Sequence, residues 1–164
     1  MTSLPAAVAA LLAITLAACQ PMTAAPDTPT PADTPDDPAW STSTYAWQNR
    51  LVVLFANDPD DPSLAEQRHA LNADPAGLAE RHLVVIEAVG HAVTANGQPV
   101  NVTPADLRRQ YRVDQDSPFA ALLIGKDTGV KLRADRPIAL DQLFGTIDAM
   151  PMRRSEMREQ ARTP

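Results

Sequence analysis

Two short apolar runs predict neighbouring buried strands. The first covers residues 50–56 and the second residues 83–89, and both are rich in β-branched side chains and too short for a helix. Residues 57–62, with three aspartates and two prolines, end the first run as a turn. Because a strand, a helix and a second strand of one sheet connect with a right-handed crossover, we expect a parallel βαβ unit here.

The helix of this unit is predicted from its first turn and its apolar face. Ser63 followed by Glu66 matches a capping box. Leu64 and Leu71 recur on one helical face, which favours packing against the sheet. A second helical segment is expected from Pro75.

Turn signals then predict a small hairpin and a short helix. The dipeptide at 96–97 is Asn-Gly, which favours a tight turn between two strands. Thr103 is a typical N-cap before a proline, and Leu107 and Tyr111 share one face of the helix that follows.

The last third predicts a second hairpin and a closing amphipathic helix. Residues 119–124 and 129–133 flank a turn at 126–128, as expected for two antiparallel strands. The apolar face of the closing helix comprises Leu140, Leu143, Phe144, Ile147 and Met150. The full order of βαβ, α, ββ and α predicts an α/β, thioredoxin-like, three-layer domain over residues 40–164.

Four segments of the chain also resemble bacterial members of the domain-of-unknown-function family 4174. The segments are WQNRLVVLFA, ERHLVVIEAVG, LLIGKDTGVKLR and IDAMPMRRSEM, within residues 47–157. The resemblance implies a thioredoxin-like fold and a link to domains of secreted equarin-type and sushi-repeat-containing proteins. It implies no particular activity.

The amino-terminal apolar segment predicts a lipoprotein signal. Residues 4–18 are apolar, end in small side chains and precede Cys19, the single cysteine of the chain. A membrane-spanning helix needs roughly 20 apolar residues, so this run is too short. We expect a signal peptide at 1–18, a lipid on Cys19 and a position on the periplasmic side of the envelope. A cleaved signal without lipid stays an alternative, and Gln20 rather than aspartate slightly favours the outer membrane by analogy with bacterial sorting.

A linker is predicted from composition alone. Residues 20–39 hold six prolines and four aspartates but no lysine or arginine, which favours a disordered, extended stalk. The stalk accounts for most of the net charge of −6, because 16 acids face 14 bases in the rest of the chain. A nearly neutral domain gives no indication of nucleic-acid binding.

The loop after the first strand excludes thiol chemistry. Thioredoxin-type catalysis needs a cysteine there, at the start of the helix, and residues 57–62 have none. Asp60 and Asp61 are typical of a helix start, and their spacing with Asp58 and Glu66 lacks the pattern of a calcium loop. Pro118 stands where redox-active relatives of this fold keep a cis-proline, although a plain proline at a strand start explains it as well.

No metal, cofactor or catalytic residue is predicted elsewhere. His69, His82 and His91 are far apart in sequence and lack the spacing of metal ligands.

The remaining candidate chemistry is basic. Arg108, Arg109 and Arg112 fall on one short helix, and Arg153 and Arg154 fall near the carboxyl end. If Arg108, Arg109, Arg153 and Arg154 converge, their forked donors predict an anion-binding site. The alternative is that they are solvated helix ends.

Two function classes follow. The first is a redox-inactive binding or interaction module whose partner is an envelope protein or an anionic ligand. The alternative is an oxidoreductase-related enzyme that uses no cysteine of its own.

Overall fold

The structure is a computed structural model and describes residues 40–162. The predicted signal peptide, Cys19 and the linker lie outside these residues.

A six-stranded mixed sheet forms the centre of the domain, with strand order β4-β3-β2-β1-β5-β6. β1 pairs in parallel with β2 and antiparallel with β5, which confirms the predicted βαβ unit and places β1 in the middle. Both predicted hairpins, β3–β4 and β5–β6, are present. The strands are β1 (Arg50–Ala56), β2 (Leu83–Val89), β3 (Ala92–Ala95), β4 (Gln98–Pro99), β5 (Phe119–Ile124) and β6 (Val130–Ala134).

Five α-helices and one short 3-10 helix surround this sheet in the described part. The 3-10 helix, Thr42–Tyr45, precedes β1 and was not indicated by the sequence pattern. The α-helices are α1 (Pro62–Asn72), α2 (Pro75–Glu80), α3 (Pro104–Tyr111), α4 (Leu140–Asp148) and α5 (Pro151–Gln160).

Alternate side chains of β1 enter two cores, one on each face of the sheet. Val53 and Phe55 are completely buried on the face that α3 covers through Leu107. Leu54 is completely buried on the opposite face, where Leu64 of α1 joins it. Residues on successive strand positions point to opposite faces, so one apolar run supplies both cores and the three-layer prediction is confirmed.

The start of α1 differs from its prediction, because Asp61 rather than Ser63 is the N-cap. Asp61 Oδ1 accepts hydrogen bonds from the amides of Ser63 (2.8 Å) and Leu64 (3.1 Å). Pro62 is the first helical residue, a position where its missing N–H costs nothing. The proline therefore moves the start of the helix two residues ahead of the capping-box pattern.

The predicted closing helix is two helices. α4 ends at Asp148, and Pro151 begins α5 after a break at Met150. Proline disfavours helical geometry in the residue before it, so Met150 takes an extended conformation with ψ of 139°. This break turns α5 back toward the first strand.

Candidate functional site

The loop after β1 lies where the catalytic thiol of a thioredoxin-type enzyme would stand. Its first residue, Asn57, donates its backbone N–H to the carbonyl of Pro118 at 3.2 Å. The segment before β5 therefore faces this loop. No cysteine is present among residues 57–62.

Arg108 fills the space behind this loop. Its side chain is 3% exposed, and Nη2 donates to Asn57 Oδ1 at 2.9 Å and to the carbonyl of Ser117 at 3.1 Å. Nη1 donates to the carbonyl of Asp114, and the guanidinium carbon lies 5.4 Å from the centre of the Phe55 ring. Burial lowers the pKa of Arg108, although arginine stays charged at any pH the protein meets. All these contacts are internal, so Arg108 ties the loops together and is not open to a ligand.

Arg109 points away from Arg108 and is exposed. Its guanidinium pairs with Asp106 one turn earlier on α3. Hydrogen bonds from Thr103 and the Arg109 charge lower the pKa of Asp106. This is a solvated ion pair on a helix surface, an arrangement that stabilises little.

Arg153 belongs to a partly buried ion network that we call the Glu156 cluster. The cluster consists of Arg50, Arg81, Lys126 and Arg153 with Glu80, Asp148 and Glu156. Arg153 is 1% exposed and contacts the carboxylates of Glu80, Asp148 and Glu156. Its charge is fully used within the protein.

Glu156 joins α5 to the first strand. Its carboxylate meets both terminal nitrogens of Arg50 at 3.1 Å and Lys126 Nζ at 2.8 Å. Burial by itself would raise the pKa of Glu156, but the hydrogen bonds from Arg50 and Lys126 outweigh it and lower that pKa to about 2. The carboxylate therefore stays ionised and holds two buried cations.

The four predicted arginines do not form one site. Arg108 is tied to Asn57, just past the last residue of β1, whereas Arg153 shares Glu156 with Arg50, the first residue of that strand. A strand of seven residues is about 20 Å long, which separates the two arginines along the sheet. Arg154 is exposed and makes no side-chain hydrogen bond or ion pair within residues 40–162.

A different basic site lies between the 3-10 helix, the end of α3 and the β5–β6 hairpin. It is a polar cavity of about 520 Å³, which we call the Arg112–Arg133 pocket. It is lined by Thr42, Ser43, Gln110, Tyr111, Arg112, Thr128, Val130 and Arg133. Sequence reasoning had grouped Arg112 with its helix neighbours and had missed Arg133 and the hydroxyl groups. These residues come from three separate segments, and no spacing within one segment marks them.

Hydrogen bonds order the walls of this pocket. Thr42 Oγ1, in a residue 5% exposed, accepts from the Tyr111 hydroxyl at 2.7 Å and from Gln110 Nε2 at 2.9 Å. Arg133 donates to the carbonyls of Tyr111 and Arg112 at the end of α3. Burial raises the pKa of Tyr111, and the hydrogen bond with Thr42 opposes this rise but is the smaller effect. Because the pKa is raised, the phenol stays neutral and able to donate.

The other candidate ligands are scattered. His69, His82 and His91 are exposed on separate segments, and residues 40–162 contain no group of three or more side chains placed to hold a metal ion. Within the same residues, no helix has the length and apolar content needed to cross a membrane.

The mixed sheet, its helices on both faces and the thiol-free loop after β1 define a thioredoxin-like domain without a cysteine at the usual site. The chain belongs to the family described as Domain of unknown function (DUF4174), whose model matches residues 41–156. It is 26% identical over 133 residues to coiled-coil domain-containing protein 80 of Danio rerio, a match that covers 70% of this chain but 15% of that protein. Its fold is similar to that of reduced Plasmodium vivax 2-Cys peroxiredoxin, with a TM-score of 0.52 at 13% identity, covering 70% of this chain and 72% of the other.

Proposed function

We propose that this protein is a lipid-anchored binding module of the cell envelope and not a thiol enzyme. The carrying observation is that the loop after β1, where a thioredoxin-type enzyme keeps its thiol, has no cysteine and is held from behind by the buried Arg108 through Asn57. Thiol exchange and peroxide reduction both need a thiolate, and the chain has only Cys19.

The anchor rests on the sequence. The apolar run at 4–18 leads directly to Cys19, and the proline-rich and acidic residues 20–39 separate that cysteine from the domain. An extended polyproline segment rises about 3.1 Å per residue, enough to hold the domain well clear of a membrane. A domain displayed in this way is placed to meet other envelope components.

The Arg112–Arg133 pocket is the surface that we assign to binding. It combines two arginines with hydroxyl and amide donors in one concavity. Its volume of about 520 Å³ falls within the range of roughly 300–1,000 Å³ typical of small-molecule sites.

A photo-crosslinking experiment in intact cells tests this assignment. A benzophenone amino acid replaces Ser43, at the rim of the pocket, in the full chain. The matched control carries the same probe at His91, which is also exposed but lies between β2 and β3 and not on the pocket. We expect a defined adduct, identified by mass spectrometry, from Ser43 alone. Equal labelling from both positions, or no adduct from Ser43, would contradict the assignment.

A further inference from the structure

We propose that the Arg112–Arg133 pocket binds a doubly charged oxyanion of the phosphate monoester class. The inference rests on the binding role proposed above and names the chemistry that the pocket recognises.

Charge balance is the first argument. Arg112 and Arg133 are exposed, and within residues 40–162 neither has a carboxylate within 4 Å. Arg133 bonds to two carbonyls at the end of α3, where the helix dipole contributes about −0.5 of a charge. Two guanidinium groups therefore leave the pocket positive by about 1.5 charges. A phosphate monoester, with about −1.5 to −2 charges near neutral pH, matches this excess better than a single carboxylate does.

The donors in the pocket give the second argument. Thr42 Oγ1 accepts hydrogen bonds from the Tyr111 hydroxyl and from Gln110 Nε2, which together use its two acceptor positions. The hydroxyl hydrogen of Thr42 then has no acceptor in the described part of the chain. Thr42 is 5% exposed and lines the pocket. An oxyanion supplies the acceptor that this hydrogen lacks.

Backbone geometry gives a third, independent argument. Arg112 has φ of 53° and Thr128 has φ of 63°, and both residues line the pocket. That left-handed region favours glycine, and a β-branched residue there is a true outlier. Gly129 follows Thr128 directly, yet the left-handed turn falls on the threonine. A left-handed residue is ordinary at a helix C-cap, which is the position of Arg112 on α3, so the true outlier is Thr128. Strained residues of that kind cluster at functional sites.

The left-handed backbone of Arg112 provides a clean variant. Arg112→Gly removes the guanidinium but suits the left-handed C-cap, so if Arg112 takes no part in binding, this variant should keep the phosphate affinity of the parent and gain stability. Arg154→Ala removes an exposed arginine that has no side-chain partner among residues 40–162, and it is the matched control. Arg112→Lys keeps the charge but loses the fork that binds two oxygens at once.

The test is calorimetric titration of the full chain in a nonionic detergent with inorganic phosphate, glycerol 3-phosphate and acetate. We expect the affinity for both phosphates to fall at least about tenfold in Arg112→Gly, to fall less in Arg112→Lys and to stay unchanged in Arg154→Ala. The thermal midpoint of Arg112→Gly should equal or exceed that of the parent protein. A parallel titration with short-chain phosphatidic acid, which carries the same group, distinguishes a lipid headgroup from a free phosphate as its source.

Three results would overturn the proposal. They are phosphate affinity that Arg112→Gly leaves unchanged, acetate binding as tight as phosphate binding, and no saturable phosphate binding at about 10 mM. An adduct at Ser43 in the crosslinking experiment together with any of these would leave the binding role intact and refute only the ligand class. The two proposals therefore fail separately.

Discussion

Arg108 Nη2 lies 2.9 Å from Asn57 Oδ1, and this contact joins α3 to the carboxyl end of the central strand. The same guanidinium reaches two backbone carbonyls on the segment before β5. One side chain thus links three separate segments of the chain at the carboxyl end of the central strand.

We expect Arg108→Ala to lower the free energy of unfolding by about 2–4 kcal/mol, because it removes a buried side chain together with its three hydrogen bonds. Asn57→Ala should cost about 1 kcal/mol, since it removes only one of these bonds. Urea unfolding of both single variants and the double variant measures the coupling between them. Arg109→Ala, one residue along, is the control and should change stability by less than about 0.5 kcal/mol. Additive effects of Arg108→Ala and Asn57→Ala would show that the contact is not formed.

The low pKa of Glu156 predicts acid sensitivity. The folded protein holds this pKa at about 2, against an ordinary value of 4.5, so the ionised carboxylate stabilises the fold at any pH above 4.5. That contribution is lost as the pH falls from 4.5 toward 2. The difference corresponds to about 3 kcal/mol.

Glu156→Gln should therefore be less stable than the parent by about 3 kcal/mol at pH 7, and the gap should close between pH 4.5 and 2. Urea unfolding across this range gives the comparison. Glu66→Gln, which changes an exposed glutamate of α1, is the control and should follow the parent at each pH. A gap that stays constant with pH would disprove the ionic role of Glu156.

The cap of α1 can be tested by a pair of neighbouring substitutions. Asp61→Ala should cost about 1 kcal/mol, because two backbone amides lose their acceptor. Ser63→Ala should change stability by only a few tenths of a kcal/mol, since alanine is a good helix former and the Ser63 hydroxyl caps nothing. Thermal or urea unfolding of both variants decides between the two residues. The opposite order would restore the capping-box interpretation.

The thiol-free loop predicts a null result in redox assays. Full-length protein should show no insulin reduction and no peroxide consumption above a heat-inactivated sample at any pH. The Cys19→Ser variant should give the same baseline. Turnover in the parent that Cys19→Ser abolishes would assign the activity to that cysteine and contradict a redox-inactive domain.

The lipid anchor is tested by fractionation. Cys19→Ser should move the protein from the membrane to the soluble fraction, because the thioether to diacylglycerol cannot form on serine. Immunoblotting after a high-salt wash follows the protein, and a Ser43→Ala variant provides a matched serine change in the domain. Retention of the Cys19→Ser protein in washed membranes would mean that lipid on this residue is not what holds it.

The strands and their order along the chain were predictable because their sequence signals are local. Apolar runs such as the one beginning at Leu51, and turn residues such as Asn96 and Gly97, fix each element within a few positions. The fold class follows from the order of these elements alone. Local signals failed where two of them competed, as at Asp61 and Ser63. They also failed where Pro151 divides the closing helix and at the 3-10 helix, which no pattern indicated.

The roles of the arginines were not predictable in this way. Arg108 finds Asn57 at a separation of 51 residues, and Arg153 finds Glu80 at 73. A charged residue on a predicted helix gives no sign that distant acceptors will bury it. Arg133 was missed for the same reason, because the carbonyls and hydroxyls beside it come from other segments.

The salt bridge between Arg50 and Glu156 makes the stability of the domain depend on how far synthesis has proceeded. During translation Arg50 emerges from the ribosome well before Glu156, which lies 106 residues later in the chain. In the described chain Glu156 is the one carboxylate that reaches this buried guanidinium, so every shorter chain leaves an uncompensated charge at the base of the central strand. The sheet therefore reaches its full stability only after α5, which carries Glu156, has been synthesised.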